Sequence, residues 1–302
     1  MKKYFFFILM ISVATFFSCT KNVNVNVNSK YTQPMLVLNS LLQPDSNAIV
    51  QVSKSTSALD GSTPTIVVDA AVELWEDGKF KTNCINAGNG FYTTTYKPLV
   101  SHTYTFKAHE NGMTDVDGTT TIPSLSMISI ISVDTTAEDV TIQINDPGGN
   151  EYYSFDLTTV DTFGYTNNLQ LYTDNTMLLD NTSSPAFSFG RHGNRKLHRI
   201  PNYVSNQLFI GQSNQYVLSF NTDNGGHVGH GGFQPPPQPL PIGTYYLKVS
   251  NISAEIYKYF KTVDGSTNPN PFAEPTQIYS NVNNGLGIVG SRNNQTYFIL
   301  KK

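Results

Sequence analysis

Residues 71–81 read Ala71-Val72-Glu73-Leu74-Trp75-Glu76-Asp77-Gly78-Lys79-Phe80-Lys81. Apolar and polar side chains alternate up to Glu76, the period of a strand with one covered face. Asp77-Gly78 then stands between two such runs. Asp-Gly favours a type I′ turn, because both central residues need positive φ, so the stretch predicts a hairpin. Val72, Leu74 and Glu76 share one face, while Glu73 and Trp75 share the other. Which face is inward stays open, but the only tryptophan of the chain argues for at least partial cover on its side.

The same punctuation continues in both directions. Leu36–Leu41 and Ala48–Val52 are strands joined by Pro44-Asp45-Ser46-Asn47, and Phe91–Tyr96 is ended by Pro98. Thr103–Ala108 and Gly118–Ile122 follow, the latter closed by Pro123. About seven strands in roughly ninety residues is the spacing of an immunoglobulin-like sandwich, expected over 34–123. Beyond Pro123-Ser124, Ile128–Val133, Val140–Ile144, Tyr152–Leu157, Leu208–Ile210, Tyr216–Phe220 and Tyr245–Val249 keep strand period. Thr162–Asn206 is polar and weakly periodic, so long loops with short strands around Phe187–Phe189 are expected there. One helix is expected near 253–263, with Ser253 as N-cap and Ile256, Tyr259, Phe260 and Val263 as its apolar stripe. Gly265 and Pro269 end it. Gln277–Asn281, Gly285–Gly290 and Tyr297–Leu300 bring the chain back to strands. The expected fold class is all-β: an immunoglobulin-like N-terminal sandwich, then a larger β-rich domain over 124–302 with one covering helix.

Composition agrees. Hydrophobic residues make up 39% of the 302 residues and aromatics 12%, enough for a core, whereas charged residues are only 14%. A net charge of −3 without a basic block excludes nucleic-acid binding by phosphate neutralisation.

The N-terminus sets the address. Met1-Lys2-Lys3 is a short positive segment, and Tyr4–Phe17 is uncharged, apolar and short of the ~20 residues of a spanning helix. Phe16-Phe17-Ser18-Cys19 resembles the lipobox of bacterial lipoproteins, in which the cysteine is diacylated after cleavage. The expectation is a signal peptide over 1–18, lipid attachment at Cys19 and a tether over 19–33; a plain signal peptide or an uncleaved anchor are the alternatives. More than one acyl chain gives stable anchoring. Asn22–Asn28 alternates Val and Asn and reads as a polar spacer or a short edge strand. The one other cysteine, Cys84, then lacks a partner and reads as a buried small hydrophobe.

Gln33-Pro34-Met35-Leu36-Val37-Leu38-Asn39, Val50–Ser55 and Ala71–Gly78 resemble the opening of the domain of unknown function 4249 lipoproteins. Asn270–Val282 with Asn284-Gly285-Leu286-Gly287-Ile288 resembles that family's close still better. The resemblance implies an outer-membrane lipoprotein, often encoded beside a TonB-dependent transporter, with no catalytic residues to carry over. Thr20-Lys21-Asn22 departs from the acidic residues that often follow the lipid cysteine in surface lipoproteins, so the membrane face is left open.

Chemistry-bearing constellations are sparse. His227 and His230, three apart in a glycine-rich loop, are weak candidates for one metal ion, with Asp223, His192 or His198 completing a shell if the loops meet. Phe233–Pro239 is a stiff polyproline run. Arg191, Arg195, Lys196 and Arg199 gather positive charge suited to an acidic partner or lipid headgroups. Gly211-Gln212-Ser213-Asn214-Gln215 fails as a nucleophile elbow. Asp115-Val116-Asp117-Gly118 resembles the start of a calcium loop but lacks the later bidentate Glu. The expected function is therefore a non-enzymatic binding or accessory module on the outer membrane. No cofactor is expected beyond the lipid on Cys19, and the expected partners are the membrane and a TonB-dependent transporter. A structural or adhesive envelope protein is the alternative, and a hydrolase the next.

Overall fold

The computed structural model describes residues 33–56, 63–179, 190–192, 195–220, 242–266 and 277–301. Pro34–Lys302 is one compact unit.

The chain begins with β1 (Leu36–Leu42), β2 (Ile49–Lys54), β3 (Thr65–Ile66), β4 (Ala71–Glu76), β5 (Lys79–Asn83), β6 (Ile85–Gly88), β7 (Phe91–Thr93), β8 (Thr103–His109) and β9 (Val116–Thr121). It continues with β10 (Met127–Asp134), β11 (Asp139–Asn145), β12 (Tyr152–Val160), β13 (Thr166–Leu169), β14 (Leu171–Thr173), β15 (Gly190–His192) and β16 (Arg195–Arg199). Last come β17 (Val204–Ser205), β18 (Ser213–Phe220), β19 (Thr244–Ile252), helix α1 (Ala254–Ser266), β20 (Val282–Asn283) and β21 (Leu286–Lys301).

The protein is thus all-β with one long helix. Its largest sheet runs β13-β12-β19-β21-β1-β2-β7-β6, with β3 beside β2 and β17 beside β12. A second sheet runs β10-β11-β18-β14-β16-β15, and a third β20-β9-β8-β4-β5. β21 joins the parts. Its first six residues pair in parallel with β1, from Val37↔Leu286 to Leu42↔Ser291. From Arg292 onward it pairs antiparallel with β19 instead. Residues from both sides of position 123 therefore share one sheet, and the 16-residue strand runs about 50 Å through both sandwich cores.

The first core lies between the β1–β2 layer, which contributes Leu36, Leu38, Val50 and Val52, and the β4–β8 layer, which contributes Val72, Leu74, Tyr104 and Phe106. The hairpin at Asp77-Gly78 forms as its sequence requires, with φ of 49° and 76°. The open question of its faces resolves with Val72 and Leu74 inward. Trp75 is covered from the other side by the Lys107 ammonium, 3.8 Å from its ring, and by the edge of Phe80. Cys84 packs half-buried against this core, and burial pushes its thiol up to about 12.

The second core sets Tyr153, Phe155, Leu157 and Leu247 against Val140, Ile142, Ile144, Tyr216 and Leu218. A third cluster lies under α1, where Ile256 and Tyr257 meet Tyr203, Ile252 and Ile288. The helix runs three residues past its expected end and includes Gly265. Ser253 precedes it as expected: its carbonyl accepts from Tyr257 N, while its hydroxyl accepts from Ser291 N and so ties the helix start to β21.

Two expected strands are absent. Leu208–Ile210 is a turn, in which only Phe209 is buried while Leu208 and Ile210 are exposed. Gln277–Asn281 is extended but unpaired as a ladder, because the Asn281 side chain takes the place of backbone partners.

Candidate functional site

The ends of four strands meet at one point of the second sandwich. Val160 at the end of β12 pairs with Thr166 at the start of β13 and with Thr244 at the start of β19. Thr244 in turn pairs with Lys301, the last residue of β21. Exposed apolar side chains crowd this end. Phe163 and Tyr165, in the turn after β12, are 85% and 71% exposed, and Ile242, two residues before β19, is 69% exposed. Phe298 is 60% exposed and stands edge-on to Tyr246, its partner on β19. The turn that carries Phe163 is rigidly built, since the Asp161 carboxylate accepts from both Phe163 N and Tyr165 N. A scatter of single exposed apolar residues is ordinary; several at one set of strand ends make a candidate interaction surface.

This surface is far from the start of β1. Val37 pairs with Leu286 at the beginning of β21, and Lys301 closes the strand about 50 Å farther on. The start of β1 and the aromatic surface lie at opposite ends of one strand.

The buried carboxylates serve a different purpose. Glu76 accepts from the Tyr104 hydroxyl at 2.6 Å, the Tyr96 hydroxyl at 2.5 Å and Lys81 Nζ at 2.6 Å. Burial raises its pKa, but the Lys81 ammonium and the two phenols outweigh that and hold it at about 2. Next to it, Asp77 accepts from Thr103 N and pairs with His102 Nδ1 at 2.7 Å, closing the hairpin onto β8. Asp146 accepts from Gly148 N, Gly211 N, the Tyr153 hydroxyl and the Asn206 amide. Desolvation again opposes ionisation, and the Gly211, Tyr153, Asn206 and Gly148 donors reverse it, so its pKa is lowered. The Tyr153 hydroxyl continues to Ser126, Ser126 to Asn251, and Asn251 to Glu151, whose carboxyl burial raises. With its oxygens engaged by these donors, Asp146 holds two loops together rather than presenting a free lone pair.

Cys19, His227, His230 and Asp223 lie outside the described residues. The basic patch falls on the β15–β16 hairpin, where Arg191 stands opposite Lys196 and His192 opposite Arg195. Arg199 is exposed and stands opposite Tyr172, with His198 opposite Thr173. The hairpin thus gathers all four cationic candidates. Asp115 and Asp117 do not form a calcium loop: Val116 already begins β9, Asp115 is paired with His109 Nδ1, and Asp117 accepts from Asn283. Among the described residues no three His, Cys, Asp or Glu side chains cluster to hold a metal ion. Among the same residues no helix is long and apolar enough to cross a membrane.

Phe163 opens an aromatic loop already visible in the sequence, whereas Ile242 and Phe298 are distant along the chain and join it only through strand pairing.

No match is found among curated proteins. The family model described as "Domain of unknown function (DUF4249)" matches residues 20–297, nearly all of the chain. It takes in β1 to all but the last residues of β21. The chain belongs to the DUF4249 family.

Proposed function

We propose that this chain is an outer-membrane lipoprotein, anchored by acyl chains on Cys19, whose body is a non-enzymatic accessory module for a TonB-dependent transporter. The supporting observation is the position of the exposed Phe163, Tyr165, Ile242 and Phe298 at the opposite end of β21 from the entry of the tether. A module held at one end and apolar at the other reaches across to a partner without straining its leash. Low charge suits that role, since contact then rests on apolar area and backbone polarity rather than on ion pairs. Glu76 and Asp146 are fixed by their donors as scaffold carboxylates, which favours binding over hydrolysis.

The test has two arms in the native host. Fatty-acid labelling of the native chain, and its loss in Cys19→Ala, is the expected result for the anchor; an unlabelled native chain overturns it. Mild-detergent purification should bring down a transporter with the native chain and not with the Phe163→Ser, Phe298→Ser double variant. A body that comes off the membrane alone, or a transporter retained equally by both chains, overturns the docking role.

A further inference from the structure

A strand at a sheet edge offers a row of backbone N–H and C=O groups to any strand that approaches, and proteins blunt such edges by shortening or charging them. Most edges described here are blunted. β20 has two residues, β15 three, and β6 and β13 four each. β5 carries Lys79 and Lys81. β10 differs: it has eight residues, is outermost in its sheet among the described residues, and contains no Lys, Arg, Glu or Pro, with Asp134 alone at its end. It also exposes apolar side chains. Met127 is 73% exposed and Ile131 47%, while Leu125, just before the strand, is 43% exposed.

The order of residues in β10 is self-complementary. Ile128-Ser129-Ile130-Ile131-Ser132-Val133 reads apolar, Ser, apolar, apolar, Ser, apolar in both directions. In a regular strand such an even-numbered palindrome cannot pair with itself about a two-fold axis normal to the sheet. The residues brought opposite one another would lie on opposite faces, since side chains alternate. β10 is not regular. Its register against β11 shifts between Ile130 and Ser132, a bulge at Ile131. Beyond the bulge the alternation moves by one residue. Ile128, Ile130 and Val133 pack against the second core, whereas Ser129, Ile131 and Ser132 are exposed. With that shift, Ile128 comes opposite Val133 of a second copy, both core-side, and Ser129 comes opposite Ser132, both outward.

We propose that β10 is the interface of a two-fold dimer, in which a second copy of this chain adds its own β10 antiparallel to this one and the sheet continues across both protomers. The contact is isologous, as closed dimers require. Antiparallel pairing places the two Asp134 carboxylates at opposite ends, while parallel pairing would set them side by side. Ile128 O already accepts from the Tyr297 hydroxyl at 2.8 Å, and a carbonyl oxygen has a second lone pair for a partner N–H. One strand pair with Leu125, Met127 and Ile131 sits at the small end of specific interfaces. The dimer is therefore concentration-dependent.

Cysteine crosslinking in the full chain under mild oxidation tests it. Ile131→Cys places a thiol beside the two-fold axis, and Phe80→Cys places one on the edge strand of another sheet as a control. Cys84 is half-buried, and the unsubstituted chain measures any background from the native cysteines. The expected result is a covalent dimer from Ile131→Cys at several-fold the yield of both Phe80→Cys and the unsubstituted chain. Light scattering of the detergent-solubilised chain at tens of micromolar should also show a dimer mass that Ile131→Lys returns to the monomer. Equal yields at positions 131 and 80, no dimer from an Ile131→Cys chain that unfolds at the unsubstituted temperature, or crosslinks only to other proteins would each overturn the proposal.

Discussion

Asn281 gives its side-chain amide to both backbone groups of Val289, accepting from Val289 N at 2.9 Å and donating to Val289 O at 2.7 Å. The same amide nitrogen reaches Thr119 O at 2.8 Å. One side chain thus imitates a paired strand residue along β21 and at the same time ties β21 to β9 in the facing sheet. Val289 itself is fully buried, so its N–H and C=O have no access to water as a substitute.

Asn281→Ala is therefore expected to leave two buried backbone groups unsatisfied, at about 1–3 kcal/mol each. Urea unfolding should show a loss of roughly 2–6 kcal/mol with an unchanged denaturant slope. Asn281→Asp should lose at least as much near pH 7, because a carboxylate cannot donate to Val289 O or Thr119 O, and should recover part of it below pH 4 when the acid protonates. An Asn281→Ala chain as stable as the native one would show that the amide bonds contribute nothing net.

The glycines nearby explain why the closing motif is so constrained. Gly287 has φ of 110°, and a Cβ there would lie 2.1 Å from Leu38 O; a Cβ at Gly290 would lie 2.3 Å from the Ile256 side chain of α1. The helix seats itself on a strand residue with no side chain. Gly290→Ala should push Ile256 off its seat and cost about 1–3 kcal/mol by overpacking. Combining it with Ile256→Ala removes both clashing carbons and leaves the Ile256 Cβ 3.6 Å away, so the double variant should be less destabilised than the two single changes added together. Simple additivity in thermal unfolding would mean that the helix moves independently of this contact.

Glu76 makes stability depend on acid. Its folded pKa of about 2 lies below the ordinary 4.5, so the carboxylate stabilises the fold above the unfolded value and loses that contribution as pH falls toward 2. The full shift overstates the gain, because Lys81 is 38% exposed and solvent screens the pair. About 1–2 kcal/mol is expected from Glu76→Gln at pH 7, and the gap between native and variant chains should close between pH 4.5 and pH 2. A gap that stays constant across that window would assign the effect to lost phenol hydrogen bonds rather than to charge.

Local chemistry made much of this legible in the sequence. Asp77-Gly78 required a tight hairpin, and the Ile256, Tyr259, Phe260 stripe required a helix with one covered side. What stayed illegible depends on distance along the chain. Leu208–Ile210 has strand period, yet Asp146 captures Gly211 N and the Asn206 amide and bends the segment into a turn. Gln277–Asn281 also has strand period, and the Asn281 side chain displaces a ladder there. The pairing of β21 with β1 joins residues 249 positions apart before the strand turns to β19, which no local pattern announces. For the candidate surface, Phe163, Ile242 and Phe298 stand far apart in the sequence, and only register sets the strand ends that carry them side by side.

That surface yields a prediction with opposite signs in two measurements. Phe163 is 85% exposed, and Phe298 is 60% exposed with its ring edge-on to Tyr246. Polar substitutions at exposed sites away from caps and networks stay within about 0.5 kcal/mol. Phe163→Ser with Phe298→Ser should therefore unfold within that margin of the native chain, while an apolar-surface dye binds less and partner capture from solubilised outer membranes falls at least tenfold. Hot-spot aromatics at the centre of an interface behave in this way, each worth about 2 kcal/mol or more of binding energy though almost none of folding. If instead stability falls by several kcal/mol, the two rings belong to the fold and not to a docking face. If stability and capture both stay as they were, the partner meets another part of the body, with the cationic β15–β16 hairpin around Arg195 and Arg199 next to be substituted.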